Sequence, residues 1–353
     1  MTCTCFIIPQ DVLRRLASDA GLSEELRANF AHTAAISERV RAVRDQQIAL
    51  TLATLQLPPL KGVTAFPIPV PHVVPPSHAY DCQHGTTLPG TPITNPGGSH
   101  DGTVKRACDE AEAVAKFYWD IFGRDSIDAH HMTLVSSVHY STNFNNAFWN
   151  GSQMTYGDGD GQIFVDFTLG NDVIAHELTH GVTQHSAGFV YANEAGGLNE
   201  SMSDVFGSMF RQWQGTQSAH NADWLIGRNV MGPTAIGKGF TCLRDMANPA
   251  APHCLAPQPT HFSQYHAGMD PHYSSGIPNL AFFKAATAAA GQNGHSWDQV
   301  GQIWYQALTG FPPNPNMLMS AFANRTRSVA HGMYPTDAHV QKAVNDAWIA
   351  VGL

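Results

Sequence analysis

The sequence predicts an α+β fold in which a β-rich half precedes a helical half. Two segments of the first half, residues 132–141 (MTLVSSVHYS) and 161–168 (GQIFVDFT), are rich in β-branched and aromatic residues, which favours strands. From Asn171 onward, apolar residues recur at helical spacing in one segment after another. A chain of 353 residues is long enough to build two substantial cores. We therefore expect the helix that begins near Asn171 to lie at the junction of the two halves.

Two further segments precede these halves. Apolar residues at helical spacing, with few helix breakers, predict helices over residues 12–48. Residues 57–76 contain seven prolines, each of which lacks an amide donor and disfavours a helix, so this stretch is predicted to be a linker. A long amphipathic helix is predicted over residues 103–122, ahead of the first predicted strand.

The composition excludes several classes of protein. A net charge of −9 without a basic stripe argues against nucleic-acid binding. No apolar run approaches the roughly 18 residues that a membrane-spanning helix needs. The start of the chain, MTCTCFIIPQDVLRR, lacks the basic and apolar regions of a secretory signal. We therefore expect no nucleic-acid or membrane partner, and a location in the cytoplasm or export without a classical signal peptide.

Six cysteines leave the redox state open. Cys242 and Cys254 bracket a proline-containing loop and can form a disulfide, and Cys82 and Cys108 are a second possible pair. Without a secretory signal, reduced thiols are the default expectation.

The stretch HELTHGVTQH, from His176 to His185, combines three histidines with one carboxylate. Residues i and i+4 of a helix share a face, so His176 and His180 can offer their imidazoles to one metal ion. Glu177 lies beside them and can hold a metal-bound water. In the H-E-x-x-H pattern, the two histidines are zinc ligands and the glutamate is the general base. His185 lies nine residues after His176, half a turn round the helix, and is expected to point elsewhere.

A second pair of carboxylates supports the metal site, because the histidine-rich composition makes a lone H-E-x-x-H match only suggestive. The stretch GLNESMSD places Glu200 and Asp204 on one helical face. A catalytic zinc takes three protein ligands and keeps a fourth position for water, so Glu200 fits the third ligand. Asp204 fits the carboxylate that accepts the other N–H of a ligand histidine. The glycines of Ala195–Gly197 (AGG) predict a turn between the two helices.

At these residues the sequence resembles the thermolysin family of zinc metalloendopeptidases. The resemblance spans about Tyr80 to Leu353 and comprises four blocks in the order of the family: Asn145–Gly161 (NNAFWNGSQMTYGDGDG), residues 172–184 (DVIAHELTHGVTQ), Tyr191–Gly207 (YANEAGGLNESMSDVFG) and Ser274–Asn279 (SSGIPN). FIIPQDVLRRLA, at Phe6–Ala17, is similar to the short pro-segment of the protealysin-like branch.

This resemblance implies a thermolysin-like catalytic unit in two parts, with the zinc helix at their junction. It places a short helical pro-segment at residues 1–50 and a proline-rich linker at residues 51–79. The β-rich half with the zinc helix would follow at residues 80–190, and the α-helical half at residues 191–353.

The resemblance also implies which residues bind the substrate. Asn146 and the backbone of Ala147 and Trp149 would hold it as an added extended strand. Arg244 would hold the carbonyl of the residue after the scissile bond. Six apolar residues would form the primary specificity pocket, although each of them alone is as easily explained as plain core. They are Phe164, Phe167, Val173, Ile226, Val230 and Leu243.

Further catalytic roles follow from the same resemblance. Tyr191 and His272 would donate hydrogen bonds to the oxyanion that forms from the scissile carbonyl. Asn199 and Asp204 would hydrogen-bond to the zinc ligands and orient them. The family's acidic partner of the histidine would fall at Ala267, which leaves either Asp270 or no residue to orient His272.

Calcium is not expected at the double site that is typical of the family. Hard cations prefer six to eight oxygen ligands, and guanidinium groups repel a dication. At the positions that match this site, Arg211 and Arg228 can instead pair with Asp172 and Asp223. A second calcium loop of the family would fall within residues 232–243, which contain no carboxylate. The matching positions of the double site are Asp172, Arg211, Asp223, Leu225 and Arg228.

The sequence thus predicts a zinc-dependent neutral endopeptidase, made as a precursor, that cleaves on the N-terminal side of bulky hydrophobic residues. We expect one catalytic Zn²⁺ and a monomer whose partners are peptide or protein substrates and its own pro-segment. One alternative is a zinc-bound but inactive interaction protein, which would require a lost base, water site or oxyanion donor. Another is a different H-E-x-x-H hydrolase such as an aminopeptidase, which needs acidic residues for a free amine, and no such motif lies near Asn146–Trp149.

Overall fold

The computed structural model describes the backbone of residues 5–52 and 73–353 and the side chains of residues 5–42 and 73–353. Within these ranges a mixed sheet precedes a helical half, so the predicted α+β arrangement is confirmed. The strands are β1 (Cys5–Phe6), β2 (Ser77–Asp81), β3 (Thr91–Pro92), β4 (Leu134–Val138), β5 (Ala147–Trp149), β6 (Met154–Tyr156), β7 (Leu225–Ile226) and β8 (Arg244–Asp245). The helices are α1 (Gln10–Ala17), α2 (Glu24–Leu52), α3 (Gly102–Phe122), α4 (Asn171–Gln184), α5 (Asn193–Gln214), α6 (Pro233–Gly237), α7 (Pro271–Ser274), α8 (Gly276–Ala289), α9 (Val300–Thr309), α10 (Met319–Met333) and α11 (Ala338–Ala350).

The main sheet takes one edge strand from the predicted pro-segment. Its six strands run in the order β1-β5-β6-β4-β2-β3, and β7 and β8 form a separate ribbon. The pairs β6/β4 and β4/β2 are parallel, and the others are antiparallel. In the β1/β5 pair, Cys5 lies opposite Trp149 and Phe6 lies opposite Phe148. Cys5 and Phe6 therefore add an edge strand to the sheet of the first half.

Helix α4 lies at the junction of the two halves and is buried from Asp172 to Thr183. It packs against α5 of the helical half on one side, and against α3 and β5 of the first half on the other. Such burial fits its sequence, in which apolar residues precede and follow the H-E-x-x-H motif, among them Val173, Ile174 and Val182. The motif is thus placed inside the molecule and not on a solvated surface.

One contiguous apolar cluster runs from the predicted pro-segment to the last helix. It includes Ile7 and Val12 near the N-terminus and Trp304 and Trp348 in the helical half. The rings of Trp304 and Trp348 are stacked with their centroids 5.7 Å apart. Because the pro-segment shares this core, its removal exposes apolar surface on the rest of the chain.

Two local predictions are wrong. Residues 161–168 do not form a strand: Phe164 makes an isolated bridge to Met231, and a 3₁₀ turn begins at Phe167 because the carboxylate of Asp166 accepts from the amide of Thr168. The glycines at positions 196 and 197 lie inside α5 and do not form a turn. A Cβ atom there would lie 2.7 Å from Pro271 and 2.4 Å from Ser274, so these glycines allow α7 to pack closely.

Cys82 and Cys108, named as a possible pair, are not bonded to each other. The Cys82 thiol donates to the carbonyl of Pro89, and the Cys108 thiol donates to the hydroxyl of Ser77. Both thiols are free, as are those of Cys242 and Cys254, whose sulfur atoms lie 3.8 Å apart.

Part of the predicted linker lies outside the described residues, which resume at residue 73. Helix α2 continues to Leu52, two residues beyond the predicted end of the pro-segment, and β2 begins at Ser77, within the range predicted as linker. Over the described ranges, none of the helices is long and apolar enough to cross a membrane.

Candidate metal centre and substrate groove

Two imidazoles and a carboxylate converge between α4 and α5. The Nε2 atoms of His176 and His180 lie 3.1 Å apart, as their i, i+4 spacing on α4 predicts. From α5, the carboxylate of Glu200 lies 3.5 Å from each of these nitrogens, through Oε2 for His176 and Oε1 for His180. All three side chains are buried. His185 ends α4 as its C-cap and takes no part in this group.

The outer nitrogens of both imidazoles are held by α5. The Nδ1 atom of His176 donates to Asp204, and the Nδ1 atom of His180 donates to the amide oxygen of Asn199, each at 2.8 Å. Asn199 is itself oriented because its Nδ2 donates to the carbonyl of Phe189. These bonds fix the tautomer of each ring and leave both Nε2 lone pairs facing Glu200.

Asp204 is anchored by two further donors. The guanidinium of Arg244 binds both of its carboxylate oxygens at 2.8 Å, and Asn279 donates to Oδ2 at 2.8 Å. Arg244 and the interactions with His176 lower the pKa of Asp204 to about 2 against the opposing effect of burial. Asp204 therefore stays ionised and holds its histidine over the whole working range of pH.

The geometry and charge of this group fit a zinc ion. Two imidazole nitrogens on a tetrahedral zinc lie about 3.3 Å apart, close to the spacing found. Oε2 of Glu200 is buried and has no hydrogen-bond partner among the described residues. Burial lowers the pKa of His180 to about 3, so that imidazole is neutral. Burial opposes protonation of His176 too, but Asp204 and Glu200 outweigh it and raise its pKa to about 9. The cavity thus requires positive charge where the three side chains meet, and a metal cation supplies it.

Glu177 lies beside this group with one oxygen held and one oxygen unpaired. Its Oε2 accepts from the backbone N–H of Trp149 on β5 at 2.9 Å. Its Oε1 is buried and has no hydrogen-bond partner among the described residues. Burial raises the pKa of Glu177 well above its usual value. A carboxylate with a raised pKa is suited to accept a proton and pass it on.

A tyrosine and a histidine face the carboxylate of Glu200 from the helical half. The hydroxyl of Tyr191 donates to Glu200 and lies 3.1 Å from Nε2 of His272. Nδ1 of His272 donates to the carboxylate of Asp270 at 2.7 Å, so Asp270 is the residue that orients this ring. Burial opposes protonation of His272, but the carboxylates of Glu200 and Asp270 outweigh it and raise its pKa.

The sequence left the partner of His272 undecided, although a local signal was present. Asp270 precedes Pro271, and a carboxylate followed by proline is a helix start signal. Asp270 is indeed the N-cap of α7 and accepts from the backbone N–H of His272. The role of Asn279 as a partner of Asp204 had no such signal, because 75 residues separate the two in the sequence.

The N-terminal residues occupy the groove next to this centre as an added strand. The amide of Ile7 donates to the carbonyl of Ala147 at 3.1 Å. The side chain of Asn146 accepts from the amide of Ile8 at 3.0 Å and donates to its carbonyl at 3.3 Å. Of the groups predicted for substrate binding, Asn146 and Ala147 thus bond to this strand, whereas Trp149 lies opposite Cys5 and donates its amide to Glu177.

Two side chains donate hydrogen bonds to backbone carbonyls of the same strand. Arg244 donates to the carbonyl of Ile7 at 3.1 Å, and His272 donates to the carbonyl of Phe6 at 2.5 Å. The Phe6 carbonyl therefore lies at the donors predicted for an oxyanion, and Ile7 follows it. Because Arg244 also binds Asp204, one guanidinium links this strand to the support of the metal ligands.

The six residues predicted to form the specificity pocket are all buried, and they share one apolar cluster with Ile7. Val173 and Val230 approach Gly170 from two sides, each within 2.9 Å of a Cβ built there. Phe164 lies with its ring centroid 5.5 Å from that of Phe167, and 6.2 Å from that of Phe30 in the pro-segment. Phe164 is therefore in contact with the pro-segment as well as with this apolar cluster.

The positions that match the family's double calcium site form a network of ion pairs. Arg211 lies 3.3 Å from the buried carboxylate of Asp172 and also pairs with Asp223. Arg228 pairs with Asp223 at 3.1 Å. Asp172 accepts in addition from the amide of Gly227. Both carboxylates are thus occupied by guanidinium groups, and the absence of calcium stays a prediction.

A helix pair that presents two imidazoles and a carboxylate, with an unpaired base beside them and hydrogen-bond donors opposite, defines a metal-dependent hydrolase. Comparison with known proteins gives the family. The thermolysin metallopeptidase catalytic domain matches residues 73–184, and the thermolysin metallopeptidase alpha-helical domain matches residues 187–353. The chain therefore belongs to the thermolysin family of metallopeptidases, as its sequence motifs predicted.

Individual relatives agree with this assignment. An extracellular metalloprotease of Pectobacterium carotovorum is 39% identical over 82% of this chain and 86% of its own length. Thermolysin of Alicyclobacillus acidocaldarius is 35% identical over 78% of this chain and half of its own length. The solved precursor of protealysin, a metalloproteinase from Serratia proteamaculans, superposes with a TM-score of 0.80 at 35% identity and covers 99% of both chains. The protein is accordingly a zinc-dependent endopeptidase made as a precursor, and the inactive alternative is not favoured.

Proposed function

We propose that the enzyme hydrolyses peptide bonds on the N-terminal side of bulky hydrophobic residues, and that its pro-segment occupies the substrate groove until it is removed. The observation that carries this proposal is the strand Phe6–Ile8. Its backbone bonds to Ala147, Asn146 and Arg244 are those expected of an extended peptide bound by strand addition. The Phe6 carbonyl faces the proposed catalytic donors, so Ile7 occupies the position of the residue after a scissile bond. Ile7 also lies in the same apolar cluster as the residues of the predicted pocket.

We propose that His176, His180 and Glu200 hold the zinc ion, which when bound polarises the scissile carbonyl and lowers the pKa of a water. The unpaired oxygen of Glu177 accepts the proton of that water and passes it to the leaving amine. Asp204 and Asn199 hold the two imidazoles in the tautomer that directs Nε2 inward.

We propose further that Tyr191 and His272 stabilise the negative oxygen that develops on the carbonyl. His272 already donates to the carbonyl of Phe6, and the hydroxyl of Tyr191 lies beside it. Arg244 would hold the next carbonyl, as it holds that of Ile7. Such preplaced donors contribute several kcal/mol to acyl-transfer reactions, on the order of 3 kcal/mol each.

The proposed specificity is tested by mapping the products of a denatured protein with mass spectrometry. The full chain is first allowed to lose its pro-segment, and a parallel sample with Glu177→Gln supplies the background of contaminating cleavage. We expect most cuts to lie directly before Leu, Ile, Phe or Val. Cuts without preference for the following residue, or cuts confined to the first residue of each substrate, would show the pocket assignment or the endopeptidase reading to be wrong.

The pocket assignment has its own test in Leu243→Ala. This side chain directly precedes β8 and lies against Gly227, and its truncation would enlarge the proposed pocket. We expect the preference to move towards larger residues after the cut, with the catalytic zinc retained. The matched control is Leu318→Ala, which removes the same atoms from an exposed residue. An unchanged preference in Leu243→Ala would exclude this residue from the pocket.

The remaining expectations on partners and location are proposals as well. We propose a monomer that acts on peptides and proteins and has no nucleic-acid or membrane partner. Of the two expected locations, export is supported by the name of the Pectobacterium relative, an extracellular metalloprotease. Activity measured separately in the culture medium and in the cell extract distinguishes the two locations, and size-exclusion chromatography with light scattering tests the monomer.

A further inference from the structure

Two buried thiols and an imidazole converge on the loop that carries Arg244. Cys242 and Cys254 are fully buried and lie on neighbouring backbone segments joined by a parallel bridge. Their sulfur atoms are 3.8 Å apart. His253 adds a ring nitrogen within 4.8 Å of both sulfurs. In the part of the chain that the structure describes, three metal-binding side chains come this close at only one other place, the catalytic centre.

The distance between the sulfur atoms fits a shared metal ion. Two thiolates bound to a tetrahedral zinc at about 2.3 Å lie roughly 3.8 Å from each other. A disulfide would bring the same atoms to about 2.05 Å. The observed 3.8 Å is that of a contact between two thiols, which is too long for a covalent bond and equals the edge of a zinc tetrahedron.

A carboxylate lies next to the imidazole of this group. Oδ2 of Asp245 is 3.2 Å from Nε2 of His253. An imidazole nitrogen and a carboxylate oxygen on one tetrahedral zinc lie about 3.4 Å apart. The other oxygen of Asp245 accepts from the amides of Ala247 and Asn248, which fixes the direction of the carboxylate. Two thiolates, an imidazole and a carboxylate are ligand types that zinc accepts together.

We propose that Cys242, His253 and Cys254, with the carboxylate of Asp245, bind a second zinc ion that is separate from the catalytic centre. The proposed site contains no open position for a substrate, as in structural zinc sites. It closes a loop of the chain whose two ends are otherwise joined by a few backbone bonds, among them Leu255 N–H to the carbonyl of Cys242.

The position of this site gives it a role in the groove. Leu243 and Arg244 directly follow Cys242, and Arg244 binds both Asp204 and the carbonyl of Ile7. Leu255 directly follows Cys254, and its carbonyl accepts from Arg15 of the pro-segment at 2.6 Å. A zinc ion that fixes both ends of the loop would therefore fix one wall of the specificity pocket and one contact of the pro-segment.

Cobalt substitution tests the proposal on the full chain carrying Glu177→Gln, a background chosen to prevent self-digestion. The metal-free protein is titrated with Co²⁺ and then with Zn²⁺. Cobalt bound by thiolates gives an intense near-ultraviolet charge-transfer band, whereas cobalt at the catalytic centre, with imidazole and carboxylate ligands, gives none. We expect this band in the parent protein, its loss in Cys254→Ser, its retention in the buried-thiol control Cys108→Ser, and its displacement by Zn²⁺.

Metal content and thiol chemistry complete the test. We expect the parent to bind one more zinc ion than Cys254→Ser, and the catalytic variant His180→Ala to keep the cobalt band, so that failure at the catalytic centre is distinguished from failure here. If Cys254→Ser does not fold, the band of the parent and its displacement by Zn²⁺ decide the question. A crosslink between Cys242 and Cys254 in a non-reducing peptide map, or two thiols that react freely in the presence of Zn²⁺ with no cobalt band, would overturn the proposal.

Discussion

At the scale of single residues, the centre depends on which atoms are satisfied by the protein and which are left for a ligand. The outer nitrogens of His176 and His180 are bonded to Asp204 and Asn199, so only their inner nitrogens face the cavity. Glu177 is satisfied on one oxygen by the amide of Trp149. The protein thereby directs one face of each functional group to the place where metal, water and peptide would meet.

Substitution of His180, a proposed metal ligand, and of His185, which is outside the metal group, should have opposite results. His180→Ala removes an inward-facing nitrogen and should abolish stoichiometric zinc binding at the catalytic centre, together with activity. His185→Ala removes a ring at the C-cap of α4 that is outside the metal group and should leave both within about twofold. Metal analysis and peptide hydrolysis on both variants check this prediction. Equal losses in the two variants would contradict the ligand assignment.

Asp270→Asn should move the alkaline limb of the activity profile to lower pH. The raised pKa of His272 keeps its ring protonated, and thus a donor to the oxyanion, to higher pH than usual. Removing the carboxylate lowers that pKa, so the donor is lost earlier as pH rises. Asparagine still caps α7, because its side-chain oxygen can accept the same amide.

The measurement for Asp270→Asn is kcat/KM against pH. The control is Asp346→Asn, which removes a half-exposed carboxylate on α11 that is outside the metal group. A uniform loss of activity without a shift of the alkaline limb would show that Asp270 acts only as a helix cap.

Much of the centre could be predicted from the sequence because its parts lie within single helices. The i, i+4 rule applies to His176 with His180 and to Glu200 with Asp204 regardless of the surrounding fold. Ile7, Asn279 and the pro-segment residue Phe30 reach the site through contacts between distant parts of the chain, which no local pattern encodes. The glycines at positions 196 and 197 misled the prediction because glycine also serves close helix packing, and here that packing prevails over its tendency to form turns.

At the scale of elements, β1 belongs both to the main sheet and to the strand that we propose to be inhibitory. It is a two-residue strand, yet it pairs with β5, whose last residue donates its amide to Glu177. The adjoining residues Ile7 and Ile8 continue along the groove, and both side chains are fully buried. If our proposal is right, the same hydrogen bonds that complete the sheet also close the groove to other peptides.

Ile7→Asp should weaken this closure. A carboxylate placed in the apolar cluster without a partner is costly, so the strand should leave the groove more readily. We expect the freshly purified full chain to hydrolyse a small peptide substrate at least about tenfold faster than the unsubstituted chain, which corresponds to about 1.4 kcal/mol. Ala20→Asp, which adds the same charge at an exposed position of the pro-segment, is the control. Equal rates for the three proteins would show that the strand does not restrain activity.

At the scale of the whole molecule, the pro-segment and the two halves share one apolar core, and ion pairs occupy the positions where the family typically binds calcium. Arg211 and Arg228 neutralise Asp223, and Arg211 also faces Asp172. Such pairs near a surface are salt-sensitive, and their strength comes from the network more than from any single pair. Stability should accordingly depend on these residues and not on calcium bound at their positions.

A calcium-selective chelator, at a level that spares zinc, should therefore change the melting temperature by less than about 3 °C, the shift that ~1 kcal/mol causes in a domain of this size. The measurement is a thermal melt of the full Glu177→Gln chain with and without the chelator. Arg211→Met is the comparison variant, in which an ion pair is removed instead of calcium. It leaves the buried carboxylate of Asp172 without this guanidinium, so the melting temperature should fall clearly. A drop of about 10 °C or more with the chelator, or a calcium ion bound between Asp172 and Asp223, would contradict the charge argument.

The central claim is that Glu177 and a bound zinc ion cleave peptide bonds in a chain whose own N-terminal strand first fills the groove. It is tested most directly by incubating the purified full chain with zinc and following its intact mass, in parallel with the Glu177→Gln variant at equal zinc content. We predict that the unsubstituted chain loses its pro-segment and gains activity as it shortens. The variant should keep its full mass and hydrolyse peptides at least about a thousandfold more slowly, because an amide cannot accept the proton of the water. A Glu177→Gln chain that binds zinc and still shortens at the normal rate, or an unsubstituted chain that is fully active at full length, would contradict the account.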